Sequence, residues 1–427
     1  MSIMGKHILF IGDLRTANNF GAIATTDTLI KHLFTNVDSD NIKFIDYRSL
    51  RNPTPEDGWN NLGKKSLKQK LREMTPRSIY KLYSRLDHYK RVDYVPFLYS
   101  QYEHYYEEMQ TGRILRYEAK LLKWADVVYI NGEGNIVNGT DRYGKYRIGA
   151  LYVLYMAWLA KVKYSKTVCL VNHTVDPANN DAWEIISHIY PLLDYVYLRE
   201  RLSINKLEDH SVFNTQFVPD ALFMYKPEDK WEPSEDIRKQ IDFSRPFICI
   251  GDSSGIKNSY NRVKWDVRLV LSELIKKLQE ITPQIVFVDG YNQGNEDVNQ
   301  IVKNLGLGRI CLQNCTYHDL YHVLSKCEIF ISGRWHASIL AVLSGTPILL
   351  WGSDSHKTRS LYDLLDYEYP FFEVNTLPIH ITDIIKATEN IMQNKHVLKV
   401  DILRHVGELQ SKSEQNANLL YSLYEQE

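Results

Sequence analysis

Residues Glu328–Gly352 read EIFISGRWHASILAVLSGTPILLWG. An apolar run, EIFISG, ends at Ser332 and Gly333, a helix is expected from about Ala337, and a second apolar run, PILLWG, follows. Short apolar runs without alternation suit strands covered on both faces, as in parallel sheets. Strand, helix and strand in that order make a right-handed βαβ unit. The same alternation extends back to the N-terminus through HILFIGD (7–13), IKFIDY (42–47), DVVYING (126–132), TVCLVNH (167–173), YVYLRE (195–200), FICIGD (247–252), QIVFVDG (284–290) and RICLQN (309–314). The series pauses at Met224–Phe243, a polar stretch with two prolines that reads as a linker. The expectation is an α/β fold of two Rossmann-like, doubly wound domains facing a cleft. Residues 1–225 form the first, 240–400 the second, and 401–427 a helix packing back across them.

Bulk properties narrow the function classes. With 44% hydrophobic residues the chain of 427 can bury more than one core, and its net charge of -1 gives no global pull toward nucleic acid. The five cysteines include no CxxC pair, and Cys311 and Cys315 with His318 and His322 match no zinc spacing, so a reducing compartment is the simpler reading. The first apolar run stops at Asp13 and reads as a strand, not a signal peptide. The longest run, Gly149–Ala160, is too short to span a bilayer and reads as a buried helix. The expected location is cytoplasmic. A helical, tyrosine-rich insertion at about 61–123, basic at its start, has two readings. Either it is a solvated excursion with its tyrosines packed on the body, or residues 63–95 give peripheral contact with an anionic membrane face.

Polar residues gather where strands are expected to end. Arg334 offers a planar fork for a carboxylate or phosphate, His336 can exchange a proton near neutral pH, and a helix N-terminus follows them. Gly333, beside Ser332 at the strand end, lets the backbone approach an anion closely. Lys357 is a second cation beyond the next strand, or a surface lysine at a helix start. Arg199, with Glu200 and Ser203 behind it, either reaches into the cleft or pairs within the sheet edge. Glu133, in the turn GEGN with Asn135, offers a carboxylate to a sugar hydroxyl. His173 is a second candidate base or a satisfied turn residue, and Asp220 reads as holding a turn. Asn19 and Gly21 precede a helix in a turn that is neither GxGxxG nor a Walker A motif.

In order along the chain, from the first strand to about Asp366, these segments resemble the polysaccharide pyruvyl transferase family. The N-x-G turn is matched by Asn19 and Gly21, the aspartate-led strand and glycine-rich turn by ADVVYINGEGN, and R-[DE]-x-x-S by Arg199, Glu200 and Ser203. Asp220 matches the following P-D step, Arg334 and His336 the R-x-H motif, and Lys357 the trailing lysine. Three departures stand out: Ala22 replaces the aspartate of the first turn, Glu133 interrupts a GGG-like turn, and the tyrosine-rich insertion is unusual in size.

The resemblance implies a GT-B-like fold and a phosphoenolpyruvate donor, with no metal or cofactor. The product would be a pyruvate ketal on a sugar of a surface polysaccharide or its lipid-linked precursor. The C-terminal domain would hold the donor through Arg334, Lys357, Ser332 and Gly333, with Arg199 reaching in from the N-terminal domain, and His336 would act as general acid. Glu133 or His173 would be the base on the acceptor side, with Asn19, Gly21 and Asn135 lining it. Two rivals remain at this point: a GT-B glycosyltransferase using a nucleotide sugar, with Trp335 or Trp351 against the base, and a non-catalytic glycan-binding protein.

Overall fold

The computed structural model describes residues 6–17, 19–35, 37–46, 95–137, 148–177, 180–256, 263–290 and 296–425. Its strands fall into two wholly parallel sheets. β1 (Ile8–Ile11), β2 (Ile42–Ile45), β3 (Val127–Glu133), β4 (Thr167–His173), β5 (Tyr195–Leu198) and β6 (Gln216–Phe217) pair in the order 2-1-3-4-5-6. β7 (Phe247–Ser253), β8 (Gln284–Val288), β9 (Gly308–Ile310), β10 (Phe330–Gly333) and β11 (Ile348–Leu350) pair in the order 11-10-7-8-9. Each order reverses once, between β1 and β3 and between β7 and β10. Ligands of doubly wound sheets bind beyond the carboxyl ends of strands at such reversals.

Around the first sheet run α1 (Phe20–Leu33), α2 (Tyr102–Gln110), α3 (Arg116–Trp124), α4 (Ile148–Trp158), α5 (Asn180–Ile189) and α6 (Arg201–Asp209). The second sheet carries α7 (Glu235–Arg238), α8 (Val267–Ile281), α9 (Glu296–Leu305), α10 (Tyr317–Leu324), α11 (Trp335–Leu343), α12 (Lys357–Leu365) and α13 (Ile381–Gln393). Then come α14 (Lys395–Ser413) and α15 (Gln415–Glu425).

Side-chain alternation along each strand divides the cores. In β1, β3 and β4, Leu9, Val128 and Leu170 face α2 to α5, while Phe10, Tyr129 and Cys169 face α1 and α15. In the second sheet, Cys249, Val286 and Phe330 face α10, α11 and α14, while Ile250, Phe287 and Ile331 face α8, α9 and α13. Burial on both faces is why these strands read as continuous apolar runs, each buried Leu, Ile or Val contributing about 1.5–3 kcal/mol.

Two elements tie the halves together. α1 puts Phe20 and Ala24 into the second domain's core and Leu29 and Leu33 into its own. The helix expected from Ile402 begins at Lys395 and breaks at Glu414. α14 seats Ile402 and Val406 on the second domain, and α15 seats Ala417 and Leu420 on the first.

Of the insertion, residues 61–94 lie outside the described residues, and with them all but Val95 of the proposed membrane contact. In its described part, Tyr102 is buried with its ring 5.0 Å from that of Tyr155 and 5.3 Å from that of Trp158. Gly149–Ala160 forms α4 and the start of a π turn, buried from Leu151 onward. No helix among the described residues is long and apolar enough to cross a membrane.

Candidate active site at the seam between the sheets

The carboxyl ends of both sheets meet at one polar seam. α11 starts at Trp335, two residues before its expected start, with Arg334 as its N-cap and no side-chain cap. Arg334 and His336 leave this turn in different directions. Arg334 stays in its own domain, its Nε and Nη2 each 2.5 Å from a carboxylate oxygen of Asp252 at the end of β7. Gly290 leaves room for it, since a Cβ there would lie 3.0 Å from Arg334 Nε. Ser332 accepts the Arg334 N–H at 3.1 Å and donates to the Asp252 carbonyl at 3.2 Å, so it braces the fork from behind. Gly333 sits where a Cβ would strike Ser253 and Trp351, which explains the glycine by close packing.

His336 instead crosses the seam. Its Nε2 lies 3.2 Å from Arg199 Nη1, 3.3 Å from Asp220 Oδ2 and 3.7 Å from Glu133 Oε1. Gly21 explains itself here: a Cβ on it would fall 2.3 Å from His336 Nδ1, so only glycine lets the imidazole lie against the first turn of α1. Asn19 caps that helix, accepting the Gly21 N–H at 2.8 Å. Thus the N-x-G turn supplies a cap and a slot for the histidine.

Arg199 is fully buried, which demands a partner for each face of its charge. Its Nη1 donates to Asp220 at 2.9 Å, its Nε donates to Thr174 at 2.9 Å, and Glu133 stands 3.7 Å away. Asp220, read from sequence as holding a turn, does cap the turn Ala221–Met224 through the Leu222 N–H at 2.9 Å. It also accepts from Thr25 at 2.7 Å and from Trp335 Nε1 at 2.9 Å. Burial opposes its charge, but His336, Arg199 and Trp335 hold its carboxyl far below the usual range. Beneath it, Asn172 donates to Thr25 at 3.1 Å and to Asn131 at 3.0 Å, which ties the Asp220 network to β3.

Glu133 occupies a left-handed conformation, φ 45°, at the position where the glycine-rich turn is interrupted. Such a backbone costs a residue with a side chain of order 1–3 kcal/mol, and strain of that kind collects at functional sites. Burial would raise its pKa. The charges of Arg199 and His336, the Gly134 N–H and the charge of Lys357 outweigh that and lower it. Lys357, the first residue of α12, adds the smallest of these charges, and its Nζ is held by Asp354 at 2.8 Å.

Not all expected residues are gathered. His173 lies fully buried under Gly132, with Nε2 2.9 Å from Tyr190 Oη, and burial together with Arg199 lowers its pKa to about 3. It is a packed, neutral histidine one layer below the seam, and so is no base for an acceptor. Asn135 folds back to donate to the Gly132 carbonyl at 2.7 Å, which shapes the turn. Trp351 is core, and Trp335 is buried against Asp220. Cys311 and Cys315 are buried, whereas His318 bonds Tyr225 and His322 stacks on Trp231.

Sequence reasoning missed Asp252, Asp354 and His356. Asp252 ends FICIGD at a carboxyl end, and that position was its signal. The other two follow a strand without any pattern. Each cation expected to hold an anion has its own aspartate: Arg334 with Asp252, Arg199 with Asp220, Lys357 with Asp354. An anionic ligand would meet cations already oriented by carboxylates, not a bare positive patch.

Two doubly wound domains with charged residues of both at their common seam make the GT-B arrangement. A family model, polysaccharide pyruvyl transferase, matches residues 19–355, and the chain belongs to that family. No curated protein matches it. Among solved structures, HepE of Anabaena in complex with UDP-glucose is similar at TM-score 0.55 and 13% identity, covering 98% of this chain and 100% of that one. Sucrose-phosphate synthase of Thermosynechococcus elongatus is similar at TM-score 0.53 and 13% identity, covering 99% of each. UDP-GlcNAc 2-epimerase of Neisseria meningitidis, bound to UDP-GlcNAc, is similar at TM-score 0.53 and 11% identity, covering 99% of each. At these identities the likeness is one of fold.

Proposed function

We propose that the protein moves the three-carbon unit of phosphoenolpyruvate onto two hydroxyls of one sugar, forming a pyruvate ketal and releasing phosphate. The acceptor is a sugar of a surface polysaccharide or of its lipid-linked precursor, met at the cytoplasmic face of the membrane. The observation that carries the reading is the position of His336: a proton carrier from the second domain lies 3.2 Å from Arg199 and 3.7 Å from Glu133 of the first.

The donor carries a carboxylate and a phosphate, whose charges suit the partly exposed Arg334 and Lys357, with the fully buried Arg199 adding its field. Protonated His336 gives a proton to the methylene carbon, which becomes methyl, and the adjacent carbon takes on oxocarbenium character. One sugar hydroxyl adds there, the carbon–oxygen bond to phosphate breaks, and the second hydroxyl closes the ketal. The two hydroxyl protons balance the step: one replaces the proton spent on carbon, and one leaves with phosphate. Glu133, held ionised by its cationic neighbours, orients the attacking hydroxyl and takes its proton. Oriented cations near the departing phosphate stabilise the transition state.

The test is phosphate release on mixing purified protein, phosphoenolpyruvate and candidate glycans, with the product weighed by mass spectrometry. The expected product gains one pyruvate less one water, and His336→Ala keeps donor binding but loses turnover. Consumption of a nucleotide sugar, with phosphoenolpyruvate untouched, overturns the donor assignment.

A further inference from the structure

Arg199 and Glu200 are consecutive, yet each crosses the seam to a different histidine of the second domain. Arg199 meets His336, and Glu200 meets His356 Nε2 at 3.0 Å. The other ring nitrogen of His356 faces Asp176 of the first domain at 3.4 Å. Nothing in the proposed chemistry uses His356, although it immediately precedes Lys357 and its carbonyl accepts from the Ser360 hydroxyl in the first turn of α12.

We propose that His356 is an interdomain bolt, a positioning residue whose imidazolium, held between Glu200 and Asp176, keeps the domains closed so that His336 and Lys357 face Glu133 and Arg199. Both carboxylates are fixed before the histidine arrives. Glu200 caps α6 by accepting the Ser203 N–H at 2.8 Å, and Asp176 is paired with Lys206. From the first domain His356 therefore faces Asp176, Glu200, the Ser203 hydroxyl at 3.4 Å and, behind Asp176, the Lys206 ammonium. On its own segment the charged neighbours are Asp354 and Lys357, which pair with each other at 2.8 Å. A protonated ring offers an N–H to Glu200 and brings its positive charge against Asp176. A neutral ring must turn a lone pair toward one of them, so deprotonation loosens the contact.

The direction of titration follows. Burial disfavours the imidazolium, but Asp176 and Glu200 outweigh it and raise the His356 pKa to about 9. With its folded pKa above the unfolded value, the bolt contributes fully below about 6.5 and is lost as pH rises through about 9.

The decisive experiment measures domain separation in the substrate-free protein, so it stands whether or not the donor assignment does. Spin labels are placed at Asp209→Cys and Glu280→Cys, exposed positions on α6 and α8, while the five native cysteines are buried. Wild type should show one short, narrow distance at neutral pH that lengthens as pH passes about 9. His356→Ala should be long already at neutral pH. His356→Lys, which keeps its charge, should stay short beyond the wild-type transition. A short distance in His356→Ala at neutral pH, or a wild-type distance that stays constant through about 9, refutes the bolt. Should the transfer reaction also hold, the alkaline limb of kcat moves upward in His356→Lys while the KM for phosphoenolpyruvate stays the same.

Discussion

The two halves of the seam handle charge differently. In the second domain Arg334 and Lys357 each pair with an aspartate of the same domain, and their side chains stay 10% and 14% exposed. In the first domain Arg199 and Asp220 are 1% and 0% exposed, and their network reaches across to His336 and Trp335. The first arrangement lies within one domain and keeps some exposure to solvent. The second takes groups from both domains. On the proposed function, charge in the open half serves binding, whereas charge in the sealed half is also part of the fold.

That contrast is most exposed by Asp220→Ala. It strands a fully buried guanidinium, a loss of about 3–5 kcal/mol, read as a lower urea midpoint at unchanged slope. Asp252→Ala should cost much less, because water can reach Arg334. Equal costs for the two would erase the distinction between the halves.

Arg334→Ala tests the other side. Turnover with phosphoenolpyruvate should fall about 10²–10³-fold, with the unfolding midpoint near wild type. If the variant instead fails to fold, Arg334 belongs with Arg199 as a structural ion. Glu133→Gly should follow with a fall of about 10²-fold and no loss of stability, since glycine takes the left-handed φ of 45° without strain. A clearly less stable Glu133→Gly protein would mean that the carboxylate holds Arg199 in place more than it serves a substrate.

The fold was legible because buried parallel strands leave uninterrupted apolar runs, and ten such runs are ten of the strands. β6 escaped notice because Gln216–Phe217 is a two-residue edge strand with no pattern to repeat. The start of α11 was placed late because Arg334 caps it without a side-chain bond, so no Ser, Asp or Asn marks the boundary. The break between α14 and α15 falls at Glu414, in helical conformation and without Gly or Pro. In the site, Arg334 and His336 were visible because the turn joins their chemistry to a helix N-terminus. The partners that give them meaning were not: Asp252 is far from Arg334 in sequence, and Asp220, read only as holding a turn, gave no sign that it meets His336. His173 misled for the same reason: a strand-end histidine reads alike whether it points into the seam or under it, and only Gly132 and Tyr190 decide.

The smallest expected effect asks whether the halves share one electrostatic field. Glu133 has its carboxyl held down by Arg199, then His336, then the Gly134 N–H, and last by Lys357. A depressed carboxyl is ionised above its folded pKa, so activity that needs the carboxylate is lost as pH falls through that value. Lys357→Ala removes the weakest of the three cations, so the acid limb of kcat/KM should move to higher pH, and a ¹³C NMR titration of the Glu133 carboxyl should move with it. The displacement should be smaller than any caused by loss of the His336 charge, which can be read by the same NMR titration in His336→Ala even without turnover. If Lys357→Ala leaves both curves in place, its charge is absorbed by Asp354, and the open half contributes a donor contact without tuning the base across the seam.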